Sequence, residues 1–237
     1  MRIYYLQHVP FENPGIILSW AEYKNYPVMC TRLYADEMLP SMEEFDWLVI
    51  MGGPMNIYQE TEYPWLKREK EFIKAAIAGN KVVIGLCLGG QLIADAIGGR
   101  VIRNRYVEIG WFPVTFTKQG LSLPVLSHLP DRAVIFEWHG DTFVDLPEEA
   151  VLLAENEACE NQAFSYGSRV FGFQFHMENT MHIIRDLIEN CREEMVPGPY
   201  IQTADEILAG TGFVEHNNEW MLLFLSKLAA LYEEGEI

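Results

Sequence analysis

The chain has 237 residues, of which 49% are hydrophobic, and this apolar content excludes a globally disordered protein. Its length suits one α/β domain with a small appended segment. The 34 acidic residues outnumber the 17 basic ones and give a formal net charge of −17, which disfavours contact with phosphate backbones and anionic membranes. We therefore expect no nucleic acid and no membrane among its partners.

The cysteines and the N-terminus predict a cytoplasmic protein. The four cysteines lie at positions 30, 87, 159 and 191, form no CxxC pair and are too few for a disulfide-stabilised secreted scaffold. The first residues, MRIYYLQHVP, lack the longer apolar stretch and the cleavage site of a secretory signal peptide. No segment approaches the run of about 18 apolar residues that spans a bilayer.

The first half of the chain alternates short apolar runs with stretches of helical periodicity. Strands are predicted at residues 3–6, 28–33, 47–51 and 81–86, and helices at residues 16–24, 62–78 and 88–97. The runs WLVIM and KVVIGL are apolar throughout, as expected for strands covered on both faces. This alternation predicts an α/β fold with a mostly parallel central sheet and helices on both faces.

The second half carries a series of strands before helices resume. Strands are predicted at residues 108–117, 133–138, 151–155, 162–165 and 170–175, and helices at residues 180–192, 204–209 and 219–232. No repeat, low-complexity tract or linker divides the chain. We predict a main domain over residues 1–195 and a helical C-terminal extension over residues 196–237 that packs on the same domain.

The sequence GLCLGGQ at residues 85–91 stands between a predicted strand and a predicted helix. Such a nucleophile elbow pushes its central side chain out of the sheet and needs small residues two positions before and after it, here Gly85 and Gly89. The start of the following helix favours a thiolate at Cys87, and the N–H of Leu88 would face an oxyanion. A cysteine after an apolar strand is usually an inert core residue, but the flanking glycines favour a nucleophile.

A second motif, GFQFHME at residues 172–178, supplies a base and a group that orients it. His176 and Glu178 lie just beyond a predicted strand, where a carboxylate can bond one imidazole nitrogen while the other nitrogen faces a thiol. The alternative is a surface His-x-Glu pair at a helix start, where an acidic residue is favourable anyway. His8 and Glu12 either line the mouth of the site or belong to an ordinary loop, and the ordinary loop is the preferred interpretation.

Together, GLCLGGQ and GFQFHME resemble the paired signatures of class I, triad-type glutamine amidotransferases. The sequence MGGP at residues 51–54 is similar to the oxyanion loop of that family. The segments QHVP, EIGW and EWHGDTF, at residues 7–10, 108–111 and 137–143, resemble its GMP-synthase-like branch. The resemblance covers about residues 1 to 192 and implies a flavodoxin-like three-layer sandwich. Met177 stands where the family usually has proline, which affects the stiffness of the turn and not proton transfer.

The resemblance implies hydrolysis of the glutamine side-chain amide through a γ-glutamyl thioester, with release of ammonia. The implied site comprises a catalytic triad, two oxyanion-hole N–H groups and three substrate-binding side chains: Cys87, His176 and Glu178; Gly53 and Leu88; Gln91, His139 and Asp141. A turn stabilised by Asp141 and Gly140 explains the same segment without any ligand. No cofactor is implied, and no metal site is expected because the histidines are scattered and the cysteines are not spaced as ligands.

Three other functions remain open. A γ-glutamyl peptidase or hydrolase would use the same triad and differ only in its leaving group. A non-catalytic regulatory or binding subunit could keep the fold, and a thiol chaperone or peroxide sensor could share the elbow. No phosphate-binding loop accompanies the motifs, so we expect any ammonia acceptor to be a separate synthetase subunit, with L-glutamine or another γ-glutamyl compound as substrate.

Overall fold

The apolar runs of the sequence form the strands at the middle of a nine-stranded sheet in a computed structural model, which describes residues 1–237. The strands are β1 Ile3–Gln7, β2 Val28–Arg32, β3 Trp47–Ile50, β4 Val82–Leu86, β5 Arg100–Phe116, β6 Arg132–Val144, β7 Ala150–Glu155, β8 Ala163–Tyr166 and β9 Val170–Phe173. The helices are α1 Ile16–Tyr23, α2 Trp65–Ala78, α3 Leu88–Ala96, α4 Lys118–Leu121, α5 Met181–Asn190, α6 Ala204–Ala209 and α7 Thr211–Glu233, with single 3-10 turns at Leu33–Ala35 and Arg192–Glu194.

The strand order is β2-β1-β3-β4-β9-β8-β7-β5-β6, and the sheet is mixed. The pairings from β2 to β9 are parallel, whereas those from β9 to β6 are antiparallel. Strand β9 therefore joins the two halves of the sheet, next to β4 and its elbow. The predicted α/β class is confirmed.

Successive residues of the central strands face opposite sides of the sheet and fill two separate cores. In β3, Trp47 and Val49 belong to the core beneath α1 and α7, whereas Leu48 and Ile50 belong to the core beneath α2 and α3. A third, smaller core lies between the middle of strands β5 and β6 and helices α5 and α6, together with the start of α7. Helices cover both faces of the sheet. A site is therefore expected at the edge of the sheet where the parallel strands have their carboxyl ends.

Three elements extend well beyond their predicted limits: β5 and α7 begin early, and β6 continues to Val144 although its predicted end is residue 138. Strand β5 begins at Arg100 and not at residue 108. Its first half was not predicted because these residues are largely exposed and lack an apolar pattern. Helix α7 begins at Thr211 and not at residue 219. Its first turns were not predicted because they carry polar residues.

Helix α7 covers the middle of the sheet. The Phe224 ring packs at 5.2 Å from Phe171 and 5.4 Å from Phe173, measured between ring centroids. The C-terminal segment thus contributes to the same core as the central strands, while the division of the chain after residue 195 stays a prediction. None of the helices combines the length and the apolar character needed to cross a bilayer.

Candidate active site

The turn between β4 and α3 holds Cys87 in an unusual backbone conformation. Its φ of 52° and ψ of −109° lie in a region that residues with a Cβ rarely adopt. Such a conformation costs on the order of 1–3 kcal/mol and persists only where the surroundings enforce it. Glycines allow the turn to close: a Cβ on Gly85 would overlap the backbone of Gly89, and one on Gly89 would overlap the carbonyl of Ile50. The elbow therefore presents the thiol at the edge of the sheet.

His176 and Glu178 lie directly beyond β9 and meet Cys87. The Nδ1 of His176 is 2.6 Å from the Oε1 of Glu178, and its other ring nitrogen faces the Cys87 thiol. The backbone N–H of His176 donates to the carbonyl of Phe136 at 2.9 Å, which ties the turn to β6. All three side chains are buried. The structure thus brings the three residues of the predicted triad together.

Burial and charge act in opposite directions on this group. Burial raises the pKa of the Cys87 thiol, and the hydrogen bond and charge of His176 partly offset that rise. For His176, burial disfavours the imidazolium, but the Glu178 carboxylate and Cys87 outweigh it and hold the pKa well above its usual value. Because each charge depends on the other, the thiol and the imidazole titrate as a coupled pair.

Two further contacts hold the sulfur. The thiol donates to the carbonyl of Trp138 at 3.5 Å, and the side-chain amide of Gln174 lies 3.6 Å from the Sγ. The Nε2 of Gln91 donates to the Oε1 of Gln174 and to the carbonyl of Asp141, both at 3.1 Å. Gln91 thus positions Gln174, a neighbour of the thiol that was not predicted from the sequence. Gln174 lies two residues before His176 on an extended segment, so the two side chains are expected on the same face, and this spacing could have predicted the contact.

The loop after β3 lies beside the elbow and carries Gly53. A Cβ on Gly53 would approach the Cδ2 of Leu88 to 3.3 Å, so the two predicted oxyanion-hole residues are neighbours. His8 fixes this loop, because its Nδ1 donates to the carbonyl of Gly52 at 2.9 Å and its Nε2 lies 2.8 Å from Glu69. His8 is completely buried and does not itself line the cavity.

His139 and Asp141 occupy different places. His139 lines the cavity above Cys87, but its ring nitrogens bond the Oε2 of Glu108 at 3.0 Å and the carbonyl of Asp141 at 2.9 Å. Asp141 does not line the cavity: its carboxylate accepts from the hydroxyl of Tyr58 at 2.8 Å and lies 3.5 Å from Arg103, which does line it. The substrate-binding roles expected for both residues stay predictions.

A cavity of about 420 Å³ opens above the thiol. The side chains that line it include two carboxylates, Glu12 and Glu194, and one guanidinium, Arg103. Glu12 is 6% exposed, and burial raises its pKa to about 7. The loop of Glu12 therefore belongs to the site, contrary to the sequence-based expectation, because long-range packing turns it towards His176.

Comparison with known proteins places this site in a family. The family model described as "Glutamine amidotransferase class-I" matches residues 21–192. Over 241 aligned residues, the chain is 35% identical to the glutamine amidotransferase-like protein YfeJ of Salmonella typhimurium, covering 99% of this chain and 100% of that protein. The chain belongs to the class I glutamine amidotransferase family.

Other relatives agree with this assignment. A glutamine-hydrolysing GMP synthase subunit of Picrophilus torridus is 34% identical over 158 residues, which cover 64% of this chain and 79% of that protein. The crystal structure of a glutamine amidotransferase from Methylobacillus flagellatus matches with a TM-score of 0.89 and 30% identity, covering 97% of this chain and 94% of that chain. The resemblance inferred from the two motifs is confirmed.

Beyond its elbow, this amidotransferase contains a second buried cluster that was not predicted from the sequence. Donor atoms of Glu108, His139 and Cys159 lie within 4.8 Å of one another, a spacing that a metal ion could bridge. These atoms already have protein partners: Glu108 accepts from Gln162 at 2.9 Å, and Cys159 contacts Thr142 at 3.2 Å. Burial raises the pKa of Cys159 to about 12, so its thiol stays protonated. The cluster serves as a hydrogen-bonded support for His139.

Proposed function

We propose that this amidotransferase hydrolyses the side-chain amide of L-glutamine through a thioester on Cys87 and releases ammonia. The observation that carries the proposal is the meeting of a strained, buried thiol with the hydrogen-bonded His176–Glu178 pair. Few structural roles require both a rarely adopted backbone conformation and a paired base at the same sulfur.

In the first half-reaction, Cys87 gives its proton to His176 and the sulfur attacks the side-chain carbonyl carbon, Cδ, of glutamine. A carbon–sulfur bond forms, and the carbonyl electrons move to oxygen, where the N–H groups of Gly53 and Leu88 would hold the charge. The carbon–nitrogen bond then breaks, His176 returns the proton to nitrogen, and ammonia leaves. Glu178 keeps the imidazole oriented and stabilises its charged form throughout.

In the second half-reaction, His176 takes a proton from water, which attacks the thioester. The carbon–sulfur bond breaks, glutamate leaves, and the proton returns to Cys87. The Gln174 amide near the sulfur would stabilise the thiolate whenever it forms.

We also propose that the acceptor of ammonia is a separate synthetase subunit. One relative is itself named as a single subunit of a glutamine-hydrolysing GMP synthase. A glutaminase that depends on such a partner would be slow alone and faster in its presence, so a slow basal rate is compatible with the proposal.

The test is release of ammonia and glutamate from L-glutamine by the wild type, by Cys87→Ala and by Cys30→Ala, with Cys30 serving as a matched cysteine on β2. We expect release from the wild type and from Cys30→Ala but not from Cys87→Ala. Mass spectrometry after treatment with a glutamine-analogue diazoketone provides a second readout. A folded wild type that neither releases ammonia nor forms a Cys87 adduct would contradict the proposal. An adduct without ammonia release would favour a γ-glutamyl peptidase or a partner-activated enzyme.

A further inference from the structure

The cavity is larger than glutamine hydrolysis requires. Its volume of about 420 Å³ lies within the range of about 300–1,000 Å³ that encloses drug-sized ligands. Half of its 18 lining residues are hydrophobic. The leaving group of glutamine is ammonia, which has no apolar surface to bury. Apolar lining on the leaving-group side therefore calls for a different leaving group.

The leaving group lies on the side of His176, because this residue must deliver a proton to the departing nitrogen. Glu12 lies on the same side, next to His176. A Cβ on Gly52 would overlap the Glu12 carboxylate while lying 3.4 Å from the Cε1 of His176. Leu187 and Cys191, at the end of α5, line the same cavity as Glu12 and His176.

Five apolar side chains also line the cavity. Leu187 and Cys191 come from the end of α5, Val196 and Ile201 from the segment after it, and Val107 from β5. Backbone hydrogen bonds hold the segment against β5, because Ile109 donates to Tyr200 at 2.9 Å and Gln202 donates to Ile109 at 2.8 Å. Val196 keeps 63% of its surface exposed. We call the five residues that line the cavity here, Val107, Leu187, Cys191, Val196 and Ile201, the apolar wall.

Part of the wall lies beyond the family match. That match ends at residue 192, whereas Glu194, Val196 and Ile201 follow it. Glu194 accepts from the indole N–H of Trp138 at 2.9 Å, so the segment is joined to the strand whose backbone carbonyl contacts the thiol. Residues outside the family match therefore shape the leaving-group side.

The Glu12 carboxylate completes this side. It is 6% exposed, lines the cavity, and makes no hydrogen bond with the protein. A buried carboxylate of this kind is an acceptor available to an N–H group of a bound ligand. The amide nitrogen of a γ-glutamyl compound, next to His176, offers such a donor.

From this arrangement we propose that the preferred substrates are N-substituted γ-glutamyl amides whose amine carries an apolar group, seated against the apolar wall. The inference rests on the proposed thioester chemistry of Cys87. The thiol sulfur bonds to the side-chain carbonyl carbon, the bond from this carbon to the amide nitrogen breaks, His176 protonates the nitrogen, and a primary amine leaves in place of ammonia. Water then hydrolyses the thioester to glutamate, as with glutamine.

The experiment measures glutamate release from L-glutamine and from the γ-L-glutamyl amides of methylamine, butylamine and benzylamine. We expect kcat/KM to rise along the amide series, by roughly 10-fold or more from methylamide to butylamide, since one methylene in a fitted apolar pocket changes kcat/KM by about 10-fold or more. Cys87→Ala should abolish every reaction.

The variant Val196→Asp tests the wall without disturbing the core, because this side chain is largely exposed. We expect the ratio of kcat/KM for the benzylamide to that for L-glutamine to fall about 10-fold. The control Met38→Asp changes a residue that is 83% exposed and lies outside the cavity, and should leave the ratio unchanged.

The outcomes separate the two proposals. Cys87-dependent hydrolysis of L-glutamine with no gain along the amide series, or an unchanged ratio in Val196→Asp, would overturn the inference and leave the thioester chemistry standing. Absence of Cys87-dependent turnover and of a Cys87 adduct with every compound would overturn both.

Discussion

Besides the His139–Glu108 pair, two buried histidine–glutamate pairs lie near the thiol, and these two differ in what the second ring nitrogen meets. In the His176–Glu178 pair, one nitrogen bonds the carboxylate at 2.6 Å and the other faces the sulfur of Cys87. In the His8–Glu69 pair, one nitrogen bonds the carboxylate at 2.8 Å and the other donates to the carbonyl of Gly52. A carbonyl cannot give up or receive a proton at neutral pH, whereas a thiol can.

The difference between the pairs shows that a carboxylate beside an imidazole does not by itself make a catalytic base. Burial lowers the pKa of His8, but Glu69 outweighs it and the pKa is raised. His8 holds the loop after β3 through the carbonyl of Gly52, whereas the ring of His176 lies beside the Cys87 thiol.

The largest expected effect comes from removing the proton-exchanging histidine. We expect His176→Gln to lower kcat for glutamate release by about a thousandfold or more, because loss of one member of a triad removes most of the catalysis. Circular dichroism should show a folded protein. Retention of a tenth of the wild-type rate would contradict the role assigned to His176.

Breaking the supporting pair should instead affect stability. We expect Glu69→Ala to lower the free energy of unfolding by roughly 1–3 kcal/mol, because it leaves the Nε2 of the buried His8 without its hydrogen-bond partner. Urea denaturation measures this change. The conservative variant Glu69→Gln should recover part of the loss through its amide oxygen, and an unchanged Glu69→Ala midpoint would remove the distinction between the two pairs.

Glu12 lies between the two pairs and links them electrostatically. Burial raises its pKa to about 7, while His176 and His8 lower it and Glu178 and Glu194 raise it. Between about pH 4.5 and pH 7, the native state therefore holds a proton on Glu12 that the unfolded state has lost. The tighter proton binding of the native state stabilises it fully below about pH 4.5, and this stabilisation disappears as the pH rises through about 7.

Denaturation of the wild type and of Glu12→Gln between pH 5 and pH 8 tests this dependence. As the pH rises over this range, we expect the free energy of unfolding of the wild type to fall by up to about 3 kcal/mol more than that of the variant. The slope is at most about 1.4 kcal/mol per pH unit. Parallel pH profiles for the two proteins would show that Glu12 titrates near its ordinary pKa.

The smallest expected effect concerns the thiol itself. Replacing Gln174 by leucine removes the amide that lies 3.6 Å from the sulfur, and this contact favours the thiolate. We expect the pH midpoint of Cys87 alkylation by iodoacetamide to rise, and kcat to fall by roughly 10-fold. Gln174→Glu provides a control of similar size, which should raise the midpoint further because its charge repels the thiolate.

Short-range features were predictable from the sequence. Glycines two positions on either side of Cys87 define an elbow, because only small residues fit where the turn meets the neighbouring backbone. A histidine and a glutamate two residues apart after a strand form a pair through local geometry. The alternation of apolar runs predicted the α/β class, and the two motifs predicted the family.

The sequence by itself determined the elements, the elbow and the family, since these follow from local sterics and from motifs a few residues long. Only the tertiary structure decided that Glu69 reaches His8, that Gln174 reaches the thiol, and that the segment after residue 192 closes the cavity. Those contacts join residues far apart in the chain, so they depend on the order of strands in the sheet and on which faces become buried. Neither property is contained in a short stretch of sequence.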